Sequence, residues 1–485
     1  MTGLQDLWFD PSLCFIGGRW VPPVQGGLLP LSNPSNGEVL CEIARGTKED
    51  IDAAVAAASN ASTGEWGRMT APERGRVLTR LGYLILDRTE ELAELEALDV
   101  GKPLKQARAD VLALARYMEF YGGAADKIHG TTIPYLDGYT VYSLREPHGV
   151  TGHIVPWNYP MQIIGRSVGA ALAMGNAAVL KPAEEACLTA LAFSDLAHEA
   201  GLPAGALNVV PGLGEEAGAA LAAHKGVHHI SFTGSVAVGS MIQSAAAPNC
   251  VPVTLELGGK SPQLVFDDAD LDAALPFLVN AGIQNAGQTC SASSRILVQR
   301  GLYDRVVAAM AARYGALQVG PALSDLDIGP LISARQKEIV TGFLANGSDL
   351  EQVATGSIVG DAPDSGHYVP PVLFAAVTPE HVLAQSEIFG PVQVIIPFDD
   401  EEEAIAIANG TDFGLVASVW TRDGARQMRT AKAIHSGQVF INNYGAGGGV
   451  ELPFGGVGKS GHGREKGFEA LYGFSRLKTV AAFHG

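Results

Sequence analysis

From Gly149 onward one rhythm limits the fold more than any other feature of the chain. Short apolar runs (GVTGHIVP, AAVLKP, ALNVVPG, VHHISFTG, VPVTLELGG) alternate with longer stretches whose apolar residues recur at helical spacing. Runs this short and apolar suit strands buried on both faces, and strands joined through helices return parallel to one another. The expected class is α/β, with a doubly wound parallel sheet. A second series follows (PQLVFDD, SRILVQ, PVQVIIPF, GLVASVW, QVFINN) and predicts a second α/β unit. Ligands of such sheets gather beyond the carboxyl ends of the strands. The residues to watch are therefore Pro156-Trp157-Asn158, Lys181 to Glu184, Gly212 to Gly214, Gly234-Ser235 and Glu256 to Gly259.

Before Gly149 the pattern differs. Residues 48–129 carry apolar residues three and four apart and predict helices. Lys127 to Glu146 alternates around Asp137-Gly138 and predicts a hairpin, a half-apolar ribbon suited to pairing with another subunit. At 485 residues the chain should form about two or three domains. A net charge of −18 argues against nucleic acid or an anionic membrane as partner. The most apolar stretch, Ser167 to Leu180, is too short to span a bilayer and reads as a buried helix and the start of a strand. The opening MTGLQDLWFD has neither a basic region nor an apolar one, so no secretory leader is expected. The cysteines (Cys14, Cys41, Cys187, Cys250, Cys290) form no CxxC pair, which points to reduced thiols, a cytoplasmic location and no metal site.

Three groups of residues carry chemistry. FTGSVAVG turns a strand into a helix and offers backbone N–H groups to a phosphate, although an ordinary βα turn reads the same way. Lys181 and Glu184 can hold the hydroxyls of a ribose, or Glu184 can simply sit at a helix N-terminus. Cys290 lies among small residues in NAGQTCSASS, where a thiol has room to attack an aldehyde and pass a hydride to a nicotinamide. That chemistry also needs an amide donor for the oxyanion and a base to activate water. Asn158 and Glu256 supply both from strand ends.

Seven ordered motifs make the chain resemble the aldehyde dehydrogenase superfamily, of the NAD(P)-dependent, hydrolytic type. They are PWNYP (156–160), KPAE (181–184), FTGS (232–235), LELGGK (255–260), GQTC (287–290), EIFGP (387–391) and PFGG with KSGHGRE (453–465). The resemblance implies a Rossmann-like cofactor domain (1–126 and 148–257), a catalytic domain (258–458) and bridging elements (127–147 and 459–485). It implies Cys290 as nucleophile, Glu256 as general base and Asn158 as oxyanion donor together with the Cys290 backbone N–H. Lys181 and Glu184 match adenosine-ribose contacts, Gly234 and Ser235 the pyrophosphate turn, and Glu387 and Phe389 the nicotinamide-ribose end. Trp157 lines the cleft, while Val155, Pro156, Gly214, Phe232 and Leu257 complete the implied cofactor contacts. Glu465 matches a carboxylate assigned to proton relay, but the lysine often found with it is Ser167 here. The implied assembly is a homodimer or homotetramer.

Glu184 favours NAD, since its carboxylate would repel a 2′-phosphate, with NADP as the alternative. Arg166 lies where semialdehyde-oxidising relatives bind a substrate carboxylate, but the second arginine of that clamp is Gln284. A structural ion pair of Arg166 explains the residue equally well. Tyr159 leaves room for an aromatic or polar aldehyde. GQTCSASSR also looks like betaine-aldehyde members, whose quaternary ammonium Arg166 would repel. A cofactor-independent cysteine esterase would use Cys290 and Glu256 but not Glu184 or Glu387.

Overall fold

The computed structural model describes residues 7–445 and 449–485. Met1 to Asp6, the first part of the segment read for a leader, lie outside them. The expected series are both present as sheets. One sheet has eight strands, and its parallel centre runs Leu207–Val209, Ala177–Lys181, Val150–Ile154, His229–Thr233, Val253–Glu256. The chain steps outward from Val150–Ile154 in one direction, then returns to add strands on its other side. The switch point therefore lies between Val150–Ile154 and His229–Thr233, the place where such sheets open a crevice. The second sheet has seven strands and is parallel except for its edge strand Glu351–Thr355.

Each sheet organises its own apolar core: the first draws on the chain up to Leu257 and again on Ala322, Val450, Ala470, Leu471 and Phe474, and the second on residues from Leu264 to Ile434. Helices Lys48–Thr63, Ala71–Asp87, Thr89–Val100 and Leu104–Ala124 occupy the stretch read as helical. The first two start at Thr47 and Thr70, where Asp50 and Glu73 close capping boxes that satisfy the free N–H groups of the first turn. Ser167 to Leu180 divides into helix Pro160–Ala173 and strand Ala177–Lys181, both buried.

Two features differ from the sequence expectation. Asp137-Gly138 does form a turn, but the hairpin across it is brief, with a single bridge from Thr132 to Tyr142. The main partner of Tyr139–Pro147 is the distant C-terminal strand Ser475–Phe483, paired along its full length. The run that alternates is genuine, but a nine-residue strand pairs where a ladder of equal length is on offer. Short N-terminal strands, such as Cys14–Ile16 and Arg19–Val21, extend the first sheet on one side, and Gly461–His462 closes its other side. At two or three residues each, they carry no readable period.

Candidate active site

Asn158, Glu256 and Cys290, far apart in sequence, line a single cavity of about 970 Å³ at the switch point. Each arrives there for a local reason. Asn158 follows strand Val150–Ile154, just before helix Pro160–Ala173, whose first residue is a proline suited to that position. Glu256 ends strand Val253–Glu256, in register with Thr233 of the neighbouring strand. Cys290 follows three consecutive left-handed residues, Asn285, Ala286 and Gly287. At Gly287 a side chain would strike the Gly390 carbonyl at 2.1 Å, so the turn needs glycine there.

Hydrogen bonds fix the nucleophile loop to Asn158. The Asn158 amide Nδ2 donates to the Gln288 carbonyl at 3.0 Å, and the Asn158 carbonyl accepts from Asn285 Nδ2 at 3.0 Å. The other amide atom of Asn158, Oδ1, is buried without a hydrogen-bond partner among the described residues. Glu256 is 1% exposed, and neither carboxylate oxygen has a hydrogen-bond partner among the described residues. Burial holds its carboxyl well above the usual range, Glu465 adds to this, and Arg166 opposes it. Removal from water also pushes the Cys290 thiol up, to about 11, with Arg166 acting in the opposite direction.

At another part of the cavity, Trp157 and Phe389 meet edge to face at 5.4 Å and make two flat walls. Phe389 takes a left-handed backbone. Glu387 accepts the Gly259 N–H at 3.0 Å, and burial raises its carboxyl to about 7. Leu257, Gly234, Ser235 and Pro156 line the same cavity. Ser235 caps helix Val236–Ala246, accepting the Val238 N–H, so FTGS is a strand-to-helix turn as expected. Its Gly234 N–H is already taken by the Glu256 carbonyl, which leaves the helix N-terminus itself to meet a phosphate.

Lys181, Glu184, Gly214, Val155 and Phe232 stand apart from that cavity. Lys181 and Glu184 pair at 2.8 Å, and the Gly214 N–H points at Glu184 from 3.5 Å. The following helix begins only at Leu188, so Glu184 belongs to the turn and to Lys181, not to the helix dipole. Val155 and Phe232 are buried, and the Phe232 ring packs against the space above Gly234. Tyr159 and Gln284 line the cavity, with Lys102 under the Tyr159 ring at 4.1 Å. That lysine is fully buried and ion-paired to Glu96 and Asp110.

Arg166 faces a partner that the sequence did not reveal. Its guanidinium forms a buried ion pair with Glu465 and donates to Thr233 Oγ1 at 3.2 Å. The structural ion pair weighed above is thus present, inside the protein and not on a helix surface. Sequence reading also passed over Phe454 and Lys466, both in the cavity wall. Lys466 stands over the Phe454 ring at 5.2 Å, and burial lowers its ammonium to about 7. The signal for both was their position within and just after the PFGG and KSGHGRE motifs. Among the described residues no cluster suited to a metal ion occurs.

The aldehyde dehydrogenase family model matches residues 20–480. The chain belongs to the aldehyde dehydrogenase family. It is 41% identical over 478 residues to the hydroxyisobutyraldehyde dehydrogenase of Mycolicibacterium austroafricanum, covering 97% of this chain and 93% of that one. A crystal structure from Burkholderia cenocepacia assigned to the aldehyde dehydrogenases superposes with a TM-score of 0.97 at 63% identity, covering 98% of this chain and 100% of that one. The NAD+ complex of an aldehyde dehydrogenase from Bacillus cereus superposes with a TM-score of 0.95 at 39% identity, covering 98% and 97%. No helix among the described residues is long and apolar enough to cross a membrane.

Proposed function

We propose that this aldehyde dehydrogenase uses NAD to oxidise an aldehyde to its carboxylic acid through a covalent thioester on Cys290. The observation that carries the reading is the shared cavity of Cys290, Glu256 and Asn158, with Glu387, Phe389 and Trp157 at its other end. The Cys290 sulfur attacks the aldehyde carbon, and the oxygen that gains charge is met by the Asn158 amide and the Cys290 backbone N–H. When bound, NAD supplies the hydride acceptor. A dinucleotide fits the residues present. The two aromatic walls flank the space for its ring, Glu387 stands where no Cβ intrudes from Gly258, and Lys181 with Glu184 can meet a ribose. Glu256 then takes a proton from the water that attacks the thioester. Its unpartnered oxygens and raised pKa suit a base that must pick up a proton inside a low-dielectric site.

Glu184 near the adenosine end supports NAD over NADP. The exposed Leu144, Leu477 and Phe483 on the ribbon of Tyr139–Pro147 and Ser475–Phe483 support a homodimer or homotetramer joined there. The cysteines without disulfide partners support a reducing, cytoplasmic setting.

The test is aldehyde-dependent NADH formation in two variants. Cys290→Ala should lose it while still binding NAD. Glu256→Gln should keep a burst of one NADH per site and then turn over slowly, because the thioester forms but is not hydrolysed. Full activity in Cys290→Ala rejects the covalent route, and loss of the burst in Glu256→Gln moves that residue to thiol activation.

A further inference from the structure

Glu256 is under the charge of a second buried carboxylate, Glu465, and Arg166 stands against that one. Glu465 is 0% exposed, and its Oε1 accepts the Ser231 hydroxyl at 2.6 Å while its other oxygen faces the Arg166 guanidinium. Arg166 reaches on to Thr233 and lies over the Phe454 ring at 4.9 Å. Ser231 and Thr233 project from one face of strand His229–Thr233, and Thr233 is the register partner of Glu256 itself. Paired backbone hydrogen bonds between Phe454 and Glu465 hold the carboxylate in place from the other side. The arrangement is a fixed chain from helix to loop to strand, and it ends at the base.

We infer that Arg166 is a positioning residue for the base Glu256, acting through Glu465 and not through a substrate carboxylate. This deepens the proposed mechanism and rests on Glu256 being its base. The physical reason is charge. Two buried carboxylates that act on one another cannot both ionise freely, and an uncompensated Glu465 would favour the protonated form of Glu256. Arg166 supplies the compensating charge. The other charged groups facing Glu256 are Arg464 and Lys466, both of which favour its ionised form. Arg464 is held by the carbonyls of Gly456 and Gly463, outside the Arg166–Glu465 chain.

The geometry predicts opposite effects from the two ends of the pair. With a neutral aldehyde such as hexanal, the acid limb of kcat reports Glu256 losing its proton. Arg166→Met should move that limb to higher pH, and Glu465→Gln should move it to lower pH, each by on the order of one unit. Arg166→Lys should keep the wild-type limb, because the positive charge remains. The double variant Arg166→Met/Glu465→Gln should return close to the wild-type limb and be more stable than Arg166→Met, since no lone buried charge remains. If Arg166→Met does not fold, Glu465→Gln, Arg166→Lys and the double variant still decide. Shifts in the same direction, or no shift, would overturn the inference. So would a higher KM confined to ω-carboxylated aldehydes with the hexanal limb unmoved, because Arg166 would then be a substrate ligand. A wrong choice of base would show instead in Glu256→Gln, as wild-type turnover after the burst.

Discussion

Gly258 and Glu387 touch: a Cβ added to Gly258 would stand 2.1 Å from the Glu387 carboxylate oxygen Oε2. The carboxylate is not free to swing aside, because its other oxygen accepts the Gly259 N–H. The glycine at 258 is therefore part of how Glu387 is aimed. Gly258→Ala should displace the carboxylate, leave the fold intact and raise the NAD Kd about tenfold, which is roughly 1.4 kcal/mol. Fluorescence titration checks it, and an unchanged Kd would mean that Glu387 does not hold the cofactor.

Glu184 gives a second cofactor prediction. It is ion-paired with Lys181, which holds its carboxyl below the usual range against the opposing effect of burial. It therefore stays ionised at neutral pH and repels a 2′-phosphate, while Lys181 alone would attract one. Glu184→Ser should raise kcat/KM for NADP relative to NAD by about tenfold or more, in line with a like-charge clash of over 1 kcal/mol. A wild-type enzyme that already prefers NADP would sink this reading.

Much of the fold was legible because the central strands of both sheets are short, mostly apolar runs that lie between helical patterns. In VHHISFTG the apolar Ile230 and Phe232 mark a strand in which the polar His229, Ser231 and Thr233 are buried as well. What the sequence hid are contacts between segments hundreds of residues apart. Arg166 and Glu465 were both visible as candidates, but no local pattern tells that 299 residues of chain fold back to join them. The pairing of Tyr139–Pro147 with the C-terminal strand was hidden for the same reason. Lys466 escaped because a lysine after a glycine-rich loop reads as solvated, yet here the backbone turns left-handed and carries it inward.

Cys290 should behave as a thiol at rest. With its pKa pushed up to about 11, the reactive thiolate is a small fraction at neutral pH and grows in proportion to hydroxide. The rate of iodoacetamide inactivation should then rise about tenfold per unit between roughly pH 7 and pH 9, with the label on Cys290. A plateau below about pH 8 would show a stabilised resting thiolate and leave Glu256 no part in forming it.

The last prediction concerns acid stability and comes from histidines outside the active site. His153 stacks on Phe474 and hydrogen-bonds Thr151, while His229 lies between His148 and Phe474. Burial depresses all three, His153 to about 3 and His229 well below the ordinary value. A histidine depressed on folding contributes stability that is present above its unfolded pKa near 6.5 and lost as pH falls toward the folded value. For fully buried His153 the window runs from about 6.5 down to about 3, at a slope of up to about 1.4 kcal/mol per pH unit. Buried Glu96, Asp99, Glu256 and Glu387 are raised instead, so their protonation on acidification opposes this loss. Glu96 and Glu387, raised to about 7, take up their protons across the same window, so the wild-type slope is the sum of both kinds of group and the histidine part is read as a difference between two proteins. His153→Leu takes one histidine out of the balance. Its Tm relative to wild type should rise between pH 6.5 and pH 5, even if its Tm at pH 7.5 is lower because the Thr151 contact is gone. Parallel Tm curves for the two proteins would mean that His153 is protonated in the folded state and that its burial carries no cost.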